Sequence, residues 1–107
     1  MKLYTLKNEF IAETRHLPKK FTGFALFSNR TKIYFKDGKP HYENGAAYTW
    51  ADGSQEYYIN GNLHRIGGYA RIRIATEIKE YWVNDKKITD LEHNLLCDIM
   101  KLKGLLK

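Results

Sequence analysis

The chain has 107 residues, a formal net charge of +6 and a pI near 9.4, with 43% apolar, 14% aromatic and 28% charged residues. These values exclude a disordered chain and leave room for one domain (1–107) built around one modest core. A single cysteine, Cys97, excludes an internal disulfide. No apolar run is long enough for a membrane-crossing helix, and the opening MKLYTLKNEF lacks the apolar stretch of a signal peptide, so the expected location is cytoplasmic.

Strands are expected over 2–6, 9–13, 24–28, 32–36, 46–50, 55–59, 69–74 and 78–83. They follow an internal period of about 23 residues. Aromatic pairs fall at Tyr34-Phe35, Tyr57-Tyr58 and Tyr81-Trp82, and turn pairs follow at Asp37-Gly38, Asn60-Gly61 and Asn84-Asp85. His41 and His64 come next, then Gly45-Ala46-Ala47 and Gly68-Tyr69-Ala70. A degenerate first copy is read at Glu9-Phe10, His16 and Gly23-Phe24-Ala25. Asp-Gly and Asn-Gly supply the positive φ values of tight hairpin turns. An isolated hairpin is marginal in water, so the units must pair side by side and share a core. The loops differ by a residue between copies, so registers must differ or contain bulges.

Residues 1–88 therefore read as β-hairpin repeats and 89–106 as a C-terminal helix. Thr89 and Glu92 fit a capping box, and Gly104 is a natural stop. Leu91, Leu95, Leu96, Ile99, Met100 and Leu102 form an apolar stripe, expected to lie on the sheet or the last hairpin. Cys97 reads as a small buried hydrophobe, and His93 is expected on the exposed side. The expected fold is mainly β, an antiparallel meander of about four repeated hairpins capped by one amphipathic helix.

The string Glu56-Tyr57-Tyr58-Ile59-Asn60-Gly61-Asn62-Leu63-His64-Arg65, followed by Gly68-Tyr69-Ala70, resembles the W-x-N-G-x-x-H-R-x-x-G-P-A repeat of small phage and bacterial proteins, which is loosely similar to MORN hairpin repeats. The stretch from Asp37 to Ala47 matches as well, with Tyr42 in place of the usual Arg and Ala46 in place of the usual Pro. The resemblance spans roughly residues 31 to 88. It implies a phage or prophage origin and a binding role against host machinery such as restriction or CRISPR systems. It says little about chemistry, because repeat scaffolds carry many roles.

No catalytic set is read. His16, His41 and His64 recur with the scaffold and are expected to bond backbone carbonyls in the bends. No two histidines stand at metal-ligand spacing, Ser28 and Ser54 fall in turns, and no phosphate loop occurs. No metal, cofactor or enzymatic activity is expected. The informative segment is Tyr69-Ala70-Arg71-Ile72-Arg73-Ile74, whose alternation sets Tyr69, Arg71 and Arg73 on one face. Tyr48 and Trp50 alternate likewise on the preceding hairpin. Together these five residues form the candidate partner-binding patch. The competing interpretation packs Tyr48 and Trp50 in the core and leaves the arginines to solubilise one face. The patch suits a host protein or ribonucleoprotein complex, where Tyr, Trp and Arg are common anchors. The alternative partner is nucleic acid, bound by stacking and phosphate contact. A membrane partner is not expected, and the oligomeric state is open.

Overall fold

The computed structural model describes residues 1–105. In chain order the elements are β1 (Lys2–Tyr4), β2 (Phe10–Glu13), β3 (Gly23–Leu26), β4 (Lys32–Lys36), β5 (Lys39–Pro40), β6 (Tyr48–Thr49), β7 (Gln55–Glu56), β8 (Tyr58–Ile59), β9 (Asn62–Leu63), β10 (Arg71–Arg73), β11 (Ile78–Val83), β12 (Lys86–Ile88) and α1 (Asp90–Leu102). Ten strands share one antiparallel sheet in the order β12-β11-β10-β7-β6-β4-β3-β1-β2, with β5 paired to β4, and β8 and β9 form a separate two-stranded ribbon. The expected β-meander with a terminal helix is therefore present. Its order departs from the chain only where β1 enters between β2 and β3. The strand expected over 55–59 is divided between the large sheet and the small ribbon, so Tyr57 marks a change of sheet.

The three turn pairs are two-residue hairpin loops with positive φ at both positions: 50° and 78° at Asp37-Gly38, 50° and 83° at Asn60-Gly61, and 48° and 66° at Asn84-Asp85. Each turn is tied to the unit before it. The N–H groups of Gly38, Gly61 and Asp85 donate to the carbonyls of Phe21, Pro40 and Leu63 at 2.8–2.9 Å. The histidines complete these ties. His41 Nδ1 accepts the N–H of Asn60 at 2.8 Å, and His64 Nδ1 accepts the N–H of Asn84 at 3.0 Å. The expectation of bonds to carbonyls is thus corrected: each ring accepts from the turn of the next unit, so its Nδ1 must carry no proton. His16 is not an equivalent. It is exposed, and Thr22 Oγ1 accepts the N–H of Asp37 in that first unit.

A second repeated contact stacks a side chain on the first aromatic of each pair. Tyr42 lies on Tyr34 with centroids 3.8 Å apart, and the Arg65 guanidinium lies 4.0 Å from the Tyr57 centroid. Gly68 makes room for Arg65, since a Cβ there would sit 2.5 Å from the guanidinium carbon. In the last unit the partner comes from α1: His93 stacks on Tyr81 at 3.8 Å and accepts the Gly67 N–H through Nε2. His93 is accordingly buried, at 5% exposure, contrary to the sequence expectation.

The core occupies the N-terminal half. Leu3, Phe21, Ala25, Ile33 and Phe35 are buried together, with Met1, Leu17, Phe27 and Tyr48 against them. Helix α1 has its capping box, Thr89 with Glu92, and Gly104 follows at φ 69°. Its last sequence-expected position, 106, lies outside the described residues. The apolar stripe is split. Leu96, Cys97 and Met100 are half-buried beside His93, whereas Leu91, Leu95, Ile99 and Leu102 are exposed. The helix docks through a histidine stack, and most of its leucines do not lie on the sheet. Among the described residues, no helix is long and apolar enough to cross a membrane.

The histidine ties make the fold acid-sensitive. Burial pushes His64 and His93 below the ordinary value of 6.5, and for His93 the nearby Asp90 carboxylate opposes this in part while Arg65 reinforces it. With the folded values depressed, the unfolded chain takes up protons first as pH falls. Stability is therefore full above about pH 7 and drops progressively through 6.5 toward the lower folded values. Urea midpoints at pH 7.5, 6.5 and 5.5 should fall in that order, ahead of carboxylate titration; a flat series would show that the rings do not carry the ties.

Candidate binding face

Register builds the site. Cross-strand partners on one face run Leu3, Ala25, Ile33, Tyr48, Glu56, Arg71 and Glu80. The row is apolar over the core and turns polar from Glu56 onward. Glu56 and Glu80 hold the position before the aromatic pair that Ile33 holds in the first of these units. Alternation along β10 sets Arg73 on the same face as Arg71.

Glu56 is 3% exposed and anchors the cluster. Its Oε2 accepts Arg71 Nε at 2.9 Å and Arg73 Nη2 at 2.6 Å, and its Oε1 accepts the Tyr58 hydroxyl at 2.9 Å. Burial and the hydrogen bond to Glu56 push the Tyr58 hydroxyl up to about 12, and burial raises Tyr48 as well. Glu80 takes Lys87 Nζ at 2.9 Å, the Trp82 indole N–H at 3.2 Å and Arg71 Nη1 at 3.5 Å. The Lys87 contact foremost holds its carboxyl below the usual range. Both guanidinium groups also lie on indoles: Arg73 is 4.3 Å from the Trp50 centroid and Arg71 is 5.1 Å from that of Trp82. Tyr48 fills the space between Trp50 at 5.2 Å and Tyr58 at 5.3 Å. An open cleft of about 420 Å³ adjoins Trp50 and Arg73, bordered by Asn29, Asp52 and Ser54.

Tyr48, Trp50, Arg71 and Arg73 are thus brought together as the sequence suggested. Tyr69 is not. Ala70 is a buried bend ahead of β10, which breaks the alternation, and the Tyr69 ring stacks on Tyr81 at 4.5 Å, on the side that receives His93. The competing interpretation is partly right for Tyr48, which also packs against the core. Sequence reasoning missed Glu56, Tyr58, Glu80 and Trp82. Their signal was the repeat itself: Glu56-Tyr57-Tyr58 and Glu80-Tyr81-Trp82 are equivalent triplets.

The cluster is complete within itself. Every buried side-chain nitrogen and oxygen among the described residues has a hydrogen-bond partner. Among the described residues, no group of three His, Cys, Asp or Glu side chains is placed to hold a metal ion. The Ser54 hydroxyl lies 3.1 Å from Asp52 Oδ2 and accepts the Ile74 N–H, which gives it a role in closing a loop. Comparison with protein-family models, curated protein sequences and solved structures returned no match.

Proposed function

We propose that the chain is a non-enzymatic binding module that holds a protein partner on the face bearing Trp50, Arg73, Arg71 and Trp82. The observation that carries this is the double clamp of Arg71 and Arg73 on the buried Glu56. It fixes two long side chains before any partner arrives, and the Trp82 indole beneath Arg71 is itself tied to Glu80. Such a surface loses little side-chain entropy on binding, which is where much of the cost of association lies. Arginine and tryptophan are also the residue types that dominate binding energy at protein interfaces.

Nucleic acid is the weaker alternative. Each arginine already has a carboxylate partner, so phosphate would have to compete with Glu56 and Glu80. The resemblance to phage hairpin repeats makes a bacterial host protein or ribonucleoprotein complex, including CRISPR effectors, the first class of partner to test, with the host cytoplasm as the place of action.

The same geometry determines which variants are informative. Reversing Arg71 and Arg73 to Glu would set three carboxylates around one buried site and damage the fold, so that pair is not a clean binding test. Trp50→Ser with Trp82→Ser removes the platforms and spares the ion pairs. A partner retained by the wild type from bacterial lysate should bind this variant at least about 30-fold more weakly, the equivalent of about 2 kcal/mol. Undiminished retention would remove the face from the interface. A gel shift at low salt that vanishes at moderate salt, with no protein retained, would favour the nucleic-acid alternative.

A further inference from the structure

Two equivalent places in successive units, away from the Glu56 cluster, differ in their chemistry. The triplets His41-Tyr42-Glu43 and His64-Arg65-Ile66 stand 23 residues apart. The backbone holds both alike: the Tyr42 N–H donates to the Tyr58 carbonyl at 3.1 Å, and the Arg65 N–H to that of Trp82 at 3.0 Å. Each histidine accepts a turn N–H through Nδ1, so the neutral ring carries its proton on Nε2. His41 Nε2 faces an acid, with Glu43 Oε1 at 3.5 Å. The equivalent of Glu43 in the next unit is Ile66, and among the described residues His64 Nε2 has no partner. Every buried side-chain nitrogen has one, so this N–H opens to solvent.

Arg65 stands where the earlier unit has Tyr42, and it brings a charge. Its guanidinium is held against the Tyr57 ring and against Gly68, and its Nη1 donates to the Tyr69 carbonyl at 3.1 Å. Nη2 has no acceptor among the described residues. A cleft of about 520 Å³ is bordered by Tyr57, His64, Arg65 and Ile66 of one unit and by Tyr42 and Glu43 of the unit before. Burial pushes His64 below 6.5, so its ring is a neutral donor at pH 7. The Glu43 side chain is 73% exposed and turned toward His41.

We propose that this cleft binds the carboxylate of an acidic peptide side chain, which accepts from His64 Nε2 and Arg65 Nη2 and so takes the part that Glu43 plays for His41. A guanidinium already fixed by a ring and a carbonyl offers a charge-assisted donor without first being ordered. The charge balance selects the anion. One cation and one neutral donor match a single negative charge, whereas the second charge of a phosphate would be opposed by Glu43. No residue of the Trp50–Trp82 face borders the cleft, so the two surfaces are tested separately.

NMR titration of the full chain with N-acetylglutamate α-amide tests this, with N-acetylglutamine α-amide as the neutral control at equal ionic strength. Saturable shifts of the His64 ring and Arg65 guanidinium signals are expected, with Kd on the order of millimolar, while the His41 ring stays unmoved. Inorganic phosphate should bind several-fold more weakly; tighter phosphate binding would overturn the choice of a carboxylate. Ile66→Glu supplies the acid that Glu43 gives His41. It should weaken the response at least about tenfold, with the fold intact as judged by an unchanged His41 ring signal. Ile66→Ala, which supplies no acid, should keep the response. The proposal would be overturned by no response in the wild type, an equal response to the neutral amide, an undiminished response in Ile66→Glu, or equal loss in both Ile66 variants.

Discussion

Gly23→Ala should lower unfolding stability by about 3 kcal/mol or more, because a Cβ at this position has nowhere to go. Gly23 opens β3 with φ 148°, and a Cβ built on it would lie 2.2 Å from the Tyr4 carbonyl oxygen and 2.8 Å from Phe21 Cζ. The first of these is backbone and cannot rotate away. Tyr4 pairs with Phe24 across β1 and β3, and their rings stack with centroids 4.9 Å apart, so displacing the carbonyl pulls β1 from the sheet. Phe21 belongs to the buried core, so the second clash is also inside the packing. Gly45→Ala is the control. Its Cβ would meet the Tyr42 ring at 3.6–3.7 Å, an ordinary contact, and the expected cost is within about 1 kcal/mol. Urea unfolding of both variants measures the contrast. Equal costs would mean that β1 can shift freely, and that Leu3 does not anchor the core.

The contrast between these glycines shows which parts of the fold the sequence made legible. Features that are local conformational demands were readable: positive φ at Asn60-Gly61, a capping box at Thr89, a helix stop at Gly104. Features that depend on what lies across the sheet were not. Glu56 and Glu80 look like ordinary solvated acids until register sets both against Arg71. His93 reads as exposed because it sits between the polar residues Glu92 and Asn94, and only the repeat position left empty on Tyr81 explains why a histidine docks there. Tyr69 went to the wrong side because strict alternation was carried through Ala70, where the backbone bends. Arg71 and Arg73 share a face as their alternation predicts, but nothing in the sequence shows that Glu56 pairs with both.

That pairing leads to the second large expected effect. Glu56→Gln keeps the shape and one acceptor but removes the charge that two guanidinium groups share. Breaking a fully buried ion pair costs about 3–5 kcal/mol. Here the side chains of Arg71 and Arg73 remain 31% and 37% exposed, so water recovers part of the loss. The expected destabilisation is about 2 kcal/mol, seen as a lower urea midpoint with an unchanged slope. In the Glu56→Gln background a further Arg73→Gln should cost much less than it does alone, giving a coupling energy of about 1 kcal/mol or more in a double-mutant cycle. Glu56→Ile, which extends the apolar row from Ile33, separates shape from charge: it should pack, yet leave both arginines untethered. Partner binding should then weaken in Glu56→Gln and Glu56→Ile alike, under conditions where both are folded, because neither holds the guanidinium groups over Trp50 and Trp82. If Glu56→Gln costs under about 0.5 kcal/mol and the cycle shows no coupling, the arginines are oriented by solvent and the indoles alone. The face would then be no more preorganised than any exposed basic strand, and the ground for preferring a protein partner over nucleic acid would be gone.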